Sequence, residues 1–424
     1  MTTTRLVISG ALLSLFIGST HADDTTLKSL SDSELSEVQG QALMNLTYTD
    51  PSKANASMAS QNIGFYKLGM EAELELNANI KKLQLGCGGI NGANGCDIDI
   101  DNLSLSGVAE TREGRVGSSA KMTNPFIEFA IKNPNSASTR EMMGFRLSAE
   151  KVLGMLTLGE ENTGTPNGIN SLSGYMKIKE TKGTAFTGAR TLKSSDVGGQ
   201  QISGKIRGIG TYGFNTTDYN LNLQSTQADI LVGETAITGR RINTAQLKGK
   251  ADINELFFNG GISARIQIPI INLVSIPINA KGSITGLKAD LDISENLGFI
   301  HKINLNNPFS LSLQKQDINW SGSTVAARRG WWLAIEDPID IGHLNPTDQV
   351  QITNDVLSQV IQPLSTYLTD HPTDCSGITI ISCVGGVTIP PVNLAGQTVK
   401  FPLKDIQLAT QNFAPNCYGS LKFC

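Results

Sequence analysis

A mainly β fold, with long antiparallel amphipathic strands in an extended, curved or barrel-like sheet, follows from three features of the 424-residue sequence. From Phe65 to about Asp340 the dominant period is two. Met70, Ala72, Leu74, Leu76, Ala78 and Ile80, for example, alternate with Glu71, Glu73, Glu75, Asn77 and Asn79, as one dry and one wet strand face require. Turn signals such as Asn91-Gly92, Asn94-Gly95, Asn167-Gly168 and Asn259-Gly260-Gly261 punctuate these runs. Glycine is abundant, at 43 residues, and charged residues make up 17%, a balance that suits many strands and turns. Parallel strands, buried on both faces, would instead read as continuous apolar runs.

In chain order, residues 1–22 have the layout of a secretory signal. Arg5 precedes the apolar run Leu6 to Ile17, and Thr20-His21-Ala22 offers small residues at a cleavage point. The apolar run is too short for a membrane-spanning helix, which needs about 20 apolar residues. Its removal places the mature start near Asp23 and moves the net charge from −4 to −5, because Arg5 is the only charged residue lost.

Residues 23–64 are an acidic lead segment. Ser31 stands three residues before Glu34 in a capping box, Leu30 and Leu35 occupy the staple positions, and Gly40 is a natural stop. These signals predict a short N-terminal helix. The same stretch, Leu30-Ser31-Asp32-Ser33-Glu34-Leu35-Ser36-Glu37-Val38-Gln39-Gly40-Gln41, resembles the Leu-Ser-x-x-Glu-Leu-Ser-x-Val-x-Gly-Gln segment of exported gammaproteobacterial surface and filament-associated proteins of the Fil type. The resemblance is confined to these dozen residues and implies an exported protein of the cell surface.

The antiparallel β domain is expected over 65–340, with alternation recurring at Ile98–Ile100, Phe145–Ala149, Tyr175–Lys179, Ile202–Ile206, Tyr219–Leu223, Ile262–Ile268 and Ile284–Ile293. An internal echo, Leu247–Ile253 against Leu287–Ile293, points to recurring hairpin units. The remainder, 341–424, reads as a separate C-terminal unit of one helix and a disulfide-rich tail. Val356, Val360, Leu364 and Leu368, flanked by Leu357 and Ile361, recur at helical spacing, and Pro363 is expected to kink or split that helix.

The six cysteines fall as three near neighbours: Cys87 and Cys96, Cys375 and Cys383, Cys417 and Cys424. Short closures cost the chain little entropy, so local pairing is expected in an oxidising compartment. No histidine lies near any pair and no Cys-x-x-Cys spacing occurs, which leaves zinc poorly provided for.

Two clusters are candidate binding residues. Asp97, Asp99 and Asp101 alternate with Ile98 and Ile100, so a strand would put three carboxylates on one face as hard ligands for calcium; the alternative is a solvated strand face. Arg328, Arg329, Trp331 and Trp332 could form a contact patch for lipid headgroups, sugar or a protein partner; the alternative is one indole in the core and the other packed on an arginine. Gly208-Ile209-Gly210-Thr211-Tyr212-Gly213 matches the dinucleotide fingerprint by letter, but a strand is expected after it where the fingerprint needs a helix.

The mildly acidic charge carries no footprint for nucleic acid. Only His301, His343 and His371 remain outside the signal, and no nucleophile elbow or zinc-protease motif occurs. The expected function is therefore that of an exported, non-catalytic envelope or cell-surface protein without a cofactor, acting in adhesion, filament or matrix assembly. Its partner would be an envelope or surface protein, with self-association included. A periplasmic or surface carrier of lipids or other hydrophobic ligands is the alternative, and an outer-membrane barrel a third.

Overall fold

The computed structural model describes residues 44–160, 167–268, 271–272, 276–306, 308–375, 380–404 and 406. The expected signal segment and lead helix, and the expected Cys417–Cys424 pair, lie outside the described residues. What is described is mainly β and curves into a nearly closed, barrel-like sheet arrangement of twelve-, nine- and five-stranded sheets.

Nine strands make the main path of the largest sheet: β1 (Met44–Thr49), β2 (Ile63–Met70), β3 (Ala78–Leu85), β4 (Ile98–Ser106), β5 (Ala120–Lys132), β6 (Glu141–Thr157), β7 (Ile169–Ile178), β8 (Phe309–Gln314) and β9 (Gly330–Ile339). Their spatial order is β1-β2-β5-β6-β8-β9-β7-β4-β3. Neighbours are antiparallel except β9 and β7, which run parallel.

The nine-stranded sheet is built mainly from Ser203–Arg207, Thr211–Leu223, Leu256–Ile268 and Ile276–Thr285, and the five-stranded sheet from Thr181–Phe186, Gln227–Val232, Thr244–Ile253, Lys288–Asn296 and Thr398–Lys404. The echo segments are direct neighbours here: Leu247 faces Ile293 and Ala251 faces Ala289. After Gly208–Gly210 the chain continues as the strand Thr211–Leu223, as expected from its alternation.

Helix α1 (Asn354–Asp370) supplies the cover for these two sheets. Thr353 caps it by accepting from Val356 N, and Val356, Leu357, Ile361, Leu364 and Leu368 are buried. It packs on Ser203–Arg207 and on Thr398–Lys404. Ser203 N donates to Ser365 Oγ at 3.0 Å, tying helix to sheet.

Five expectations need correction. The β structure begins at Met44, inside the expected lead segment, because β1 pairs along its whole length with β2. The run Met70–Ile80 is not one strand: β2 ends at Met70, Glu73–Leu76 pairs with β5, and β3 starts at Ala78 on the other side of the sheet. Asn77 makes the break, its amide Nδ2 donating to Arg115 O and Ser118 O. Ile284–Ile293 likewise breaks at Gly286, whose φ of 73° favours glycine, and the chain passes there from the nine-stranded sheet into the five-stranded one. The described part of 341–424 is not a separate unit. Its helix needs a dry surface to lie on, and Thr398–Lys404 extends the five-stranded sheet by parallel pairing with Lys288–Asn296. Helix α1 also runs unsplit through Pro363, because its buried side is held by the sheets beneath it.

Candidate functional site

Register places two rows of apolar side chains on one face of the large sheet. The first row is Leu46, Leu68, Ile127, Leu147, Leu311 and Leu333, each the Cα partner of the next across six strands. The second is Tyr48, Tyr66, Phe129, Phe145, Leu313 and Trp331, two residues along each strand and so on the same face. Cross-strand aromatic pairs stabilise it: Tyr48 and Tyr66 have centroids 4.6 Å apart, and Phe145 and Trp331 meet edge to face at 6.0 Å.

Toward β9 and β7 this face is the floor of the main core, where Met176 and Ile178 are buried and Leu333 and Trp331 pack against the cluster. Toward β1 it opens. Exposure is 40% at Leu147, 38% at Ile127, 37% at Leu68 and 67% at Leu46. The open part forms a groove of about 400 Å³ lined by Met44, Leu68, Met70, Met122, Ile127 and Leu147 among others. A contiguous apolar surface left open on a folded chain marks an interaction site.

β1 sits at the sheet edge and pairs only with β2 among the described residues. Its sequence, Met-Asn-Leu-Thr-Tyr-Thr, contains neither charge nor proline. Native edge strands usually carry one or the other to block pairing with another chain.

The opposite face of the same strands is closed. Met58, Ile63, Phe65, Ala130, Trp320 and Trp332 form a second core beneath the 318–327 segment. Within it Glu128 and Arg146 make a buried ion pair, and the Arg146 guanidinium lies 5.4 Å from the Trp320 ring. Burial pushes Arg146 down from its ordinary value, against the pull of Glu128.

A second constellation surrounds Asp97 at the other side of the sheet. Asp97 is 2% exposed. Its Oδ1 accepts from Arg241 Nε at 3.0 Å and Asn91 Nδ2 at 2.9 Å, and its Oδ2 from Trp331 N at 3.0 Å. Arg241 also donates to Gly86 O, Gly92 O and Asn94 O, so one guanidinium holds the loop closed by Cys87–Cys96 from its start to near its end. Gly86 and Gly330 both have positive φ and press on the carboxylate, where a Cβ would overlap Asp97. A buried charge demands such full pairing, and three separate chain segments are locked together by it.

The expected three-carboxylate face therefore breaks up. Asp97 turns inward to Arg241, while Asp99 and Asp101 stay together and share Lys82 at 2.6 and 2.9 Å. Burial raises the Asp99 carboxyl, but hydrogen bonds from Lys82, Gln84 and Asn170 outweigh it and leave the group below its ordinary value. Lys82 Nζ thus bridges these two carboxylates.

The expected aromatic patch is also divided. Trp332 is in the second core and Trp331 on the opposite face, because successive strand residues point to opposite sides. Arg328 is exposed and Arg329 half-buried beside the Cys87–Cys96 loop. Cys87–Cys96 and Cys375–Cys383 are both bridged as expected. Ile90, Arg240, Arg241 and the two rows had no signal in local sequence, since register and the meeting of distant segments created them.

Both disulfides are consistent with an exported protein. Among the described residues no helix is long and apolar enough to cross a membrane, a statement that leaves strands aside. Comparison with protein-family models, with curated proteins and with solved structures finds no match for this chain.

Proposed function

We propose that this chain is an exported, non-catalytic protein of the cell envelope or surface that works by assembly, docking a protein partner on the open apolar face at β1. The observation that carries this reading is the pair of rows, which leave the core uninterrupted and end at an uncharged edge strand. A partner strand added to β1 would gain main-chain hydrogen bonds along the edge, with its alternate side chains extending the rows. A second copy of the chain meets this requirement as well as another surface protein does.

A second reading, a carrier of hydrophobic ligands, is favoured by the groove itself, whose volume of about 400 Å³ lies within the range of ligand sites. The interior space under α1 favours it less. That cavity is wholly apolar but only about 80 Å³, smaller than the engineered cavity of about 150 Å³ that takes one benzene.

Sedimentation of the exported full chain tests the first reading. Self-association, or a defined complex with an envelope protein, that is lost in Leu46→Asp with unchanged circular dichroism supports it. Native mass spectrometry showing bound lipid, displaced in Leu147→Asp, supports the second. A lipid-free monomer with no complex, indifferent to both substitutions, overturns both readings.

A further inference from the structure

The loop closed by Cys87–Cys96 carries at its tip the exposed side chain of Ile90, 61% accessible. Arg329 Nη2 donates to Ile90 O at 3.1 Å, and Arg240 Nη1 to Asn91 Oδ1 at 3.0 Å, so both guanidinium groups flank the tip. Arg328, exposed, is next to Arg329 in β9's lead-in. None of the three is in an ion pair among the described residues. Of the carboxylates at hand, Asp97 is paired with Arg241 and Asp99 and Asp101 with Lys82, while Asp317 accepts from the backbone N–H of Arg329 and offsets only one of the three cationic charges. A local positive cluster on a chain of net charge −4 is not explained by composition.

The finger is rigid. Beyond the disulfide, Gly88 N donates to Gly95 O, Gly92 N to Gly89 O, and Asn91 Nδ2 to Arg329 O. Together with the Arg241 clamp these bonds hold Ile90 outward before any partner arrives, so little ordering entropy is lost on contact.

We infer that this finger is a contact site for an anionic lipid surface, independent of the docking face at β1. Ile90 enters the boundary between headgroups and acyl chains, while Arg240, Arg328 and Arg329 meet lipid phosphates with their free donors. An apolar tip flanked by cations fits such a surface, whose attraction combines buried apolar area with electrostatics. Nucleic acid offers nothing for the isoleucine.

Vesicle flotation with the exported full chain tests it. The chain should float with vesicles of equal parts phosphatidylcholine and phosphatidylglycerol, and not with phosphatidylcholine alone. The double variant Arg240→Ser, Arg328→Ser should weaken binding by about thirtyfold, from the typical contribution of each surface cation, and high salt should do the same to the native chain. Ile90→Asp should abolish flotation, whereas Ile209→Asp, in the exposed turn after Ser203–Arg207, should leave it intact. Flotation with neither vesicle, equal flotation with both, or native flotation by Ile90→Asp overturns the inference.

Discussion

The strands beneath α1 and the strands near β1 obey the same alternation and end in different states. In Thr211–Leu223 and Leu256–Ile268 buried and exposed residues alternate, with the dry side closed by Ile361, Leu364 and their neighbours. In β2, β5 and β6 both sides carry apolar side chains, one side covered by the second core with its buried Glu128–Arg146 pair and the other left open. Alternation says that a face will be dry if something covers it. It does not say what the cover is, and in the second region no described part of the chain provides it.

Ile361→Asp should have the largest effect, because it drives a carboxylate into a wholly apolar space. Loss of at least about 4 kcal/mol is expected in urea unfolding, against about 2–5 kcal/mol for Ile361→Ala. An equal loss from Leu147→Asp would erase the contrast between a closed and an open face.

Next is Glu128→Gln, on the closed side of the open region. It strands Arg146 between the Phe126 and Trp320 rings, and breaking a buried pair in this way costs about 3–5 kcal/mol. A melting temperature unchanged by this substitution would mean that the second core is wetter than its packing implies.

Opening the staple with paired Cys87→Ser and Cys96→Ser should cost about 2–3 kcal/mol by the chain-entropy relation for so short a loop, measured by denaturant titration. The loss should be felt in the unfolding transition and not in association at β1. Loss of association would show that the two surfaces are coupled.

Leu147→Asp should change stability by only about 0.5 kcal/mol, the usual range for surface positions, while weakening docking of a partner or ligand. Binding and unfolding measured on one preparation separate the two effects.

The smallest effect concerns acid. The Asp99 carboxyl is lower in the folded chain than its ordinary 3.8, so its contribution is complete above that value and fades as pH falls through the folded one. Asp99→Asn should therefore flatten the pH dependence of stability below about pH 4, with no change near neutrality. An unchanged slope would show that Lys82 does not favour the ionised form.

Much of the fold was legible because strand, turn and helix signals are local. The Phe145, Tyr219 and Ile262 runs became strands, and the helical spacing of Val356 to Leu368 became α1. Prediction stopped where a local pattern was ambiguous. Met70–Ile80 alternates without a flaw, yet the Asn77 amide finds better partners in two carbonyls some forty residues on. Of the candidate residues, Arg329 lies against the Cys87–Cys96 loop, where Arg240 and Ile90 meet it from far away in sequence.

By itself, then, the sequence determined what depends on near neighbours: the period of two, the closure of Cys87–Cys96 and Cys375–Cys383 across short loops, and the apolar stripe of α1. Only the tertiary structure decided what depends on register and on distant partners. Leu46, Leu68, Ile127 and Leu147 become a row only when four strands pair in one alignment. Asp97 becomes a buried anchor only when Arg241, 144 residues away, reaches it. Side-chain spacing along a strand is set by the backbone of that strand alone, whereas a slip of one residue between strands would send each row to the other face.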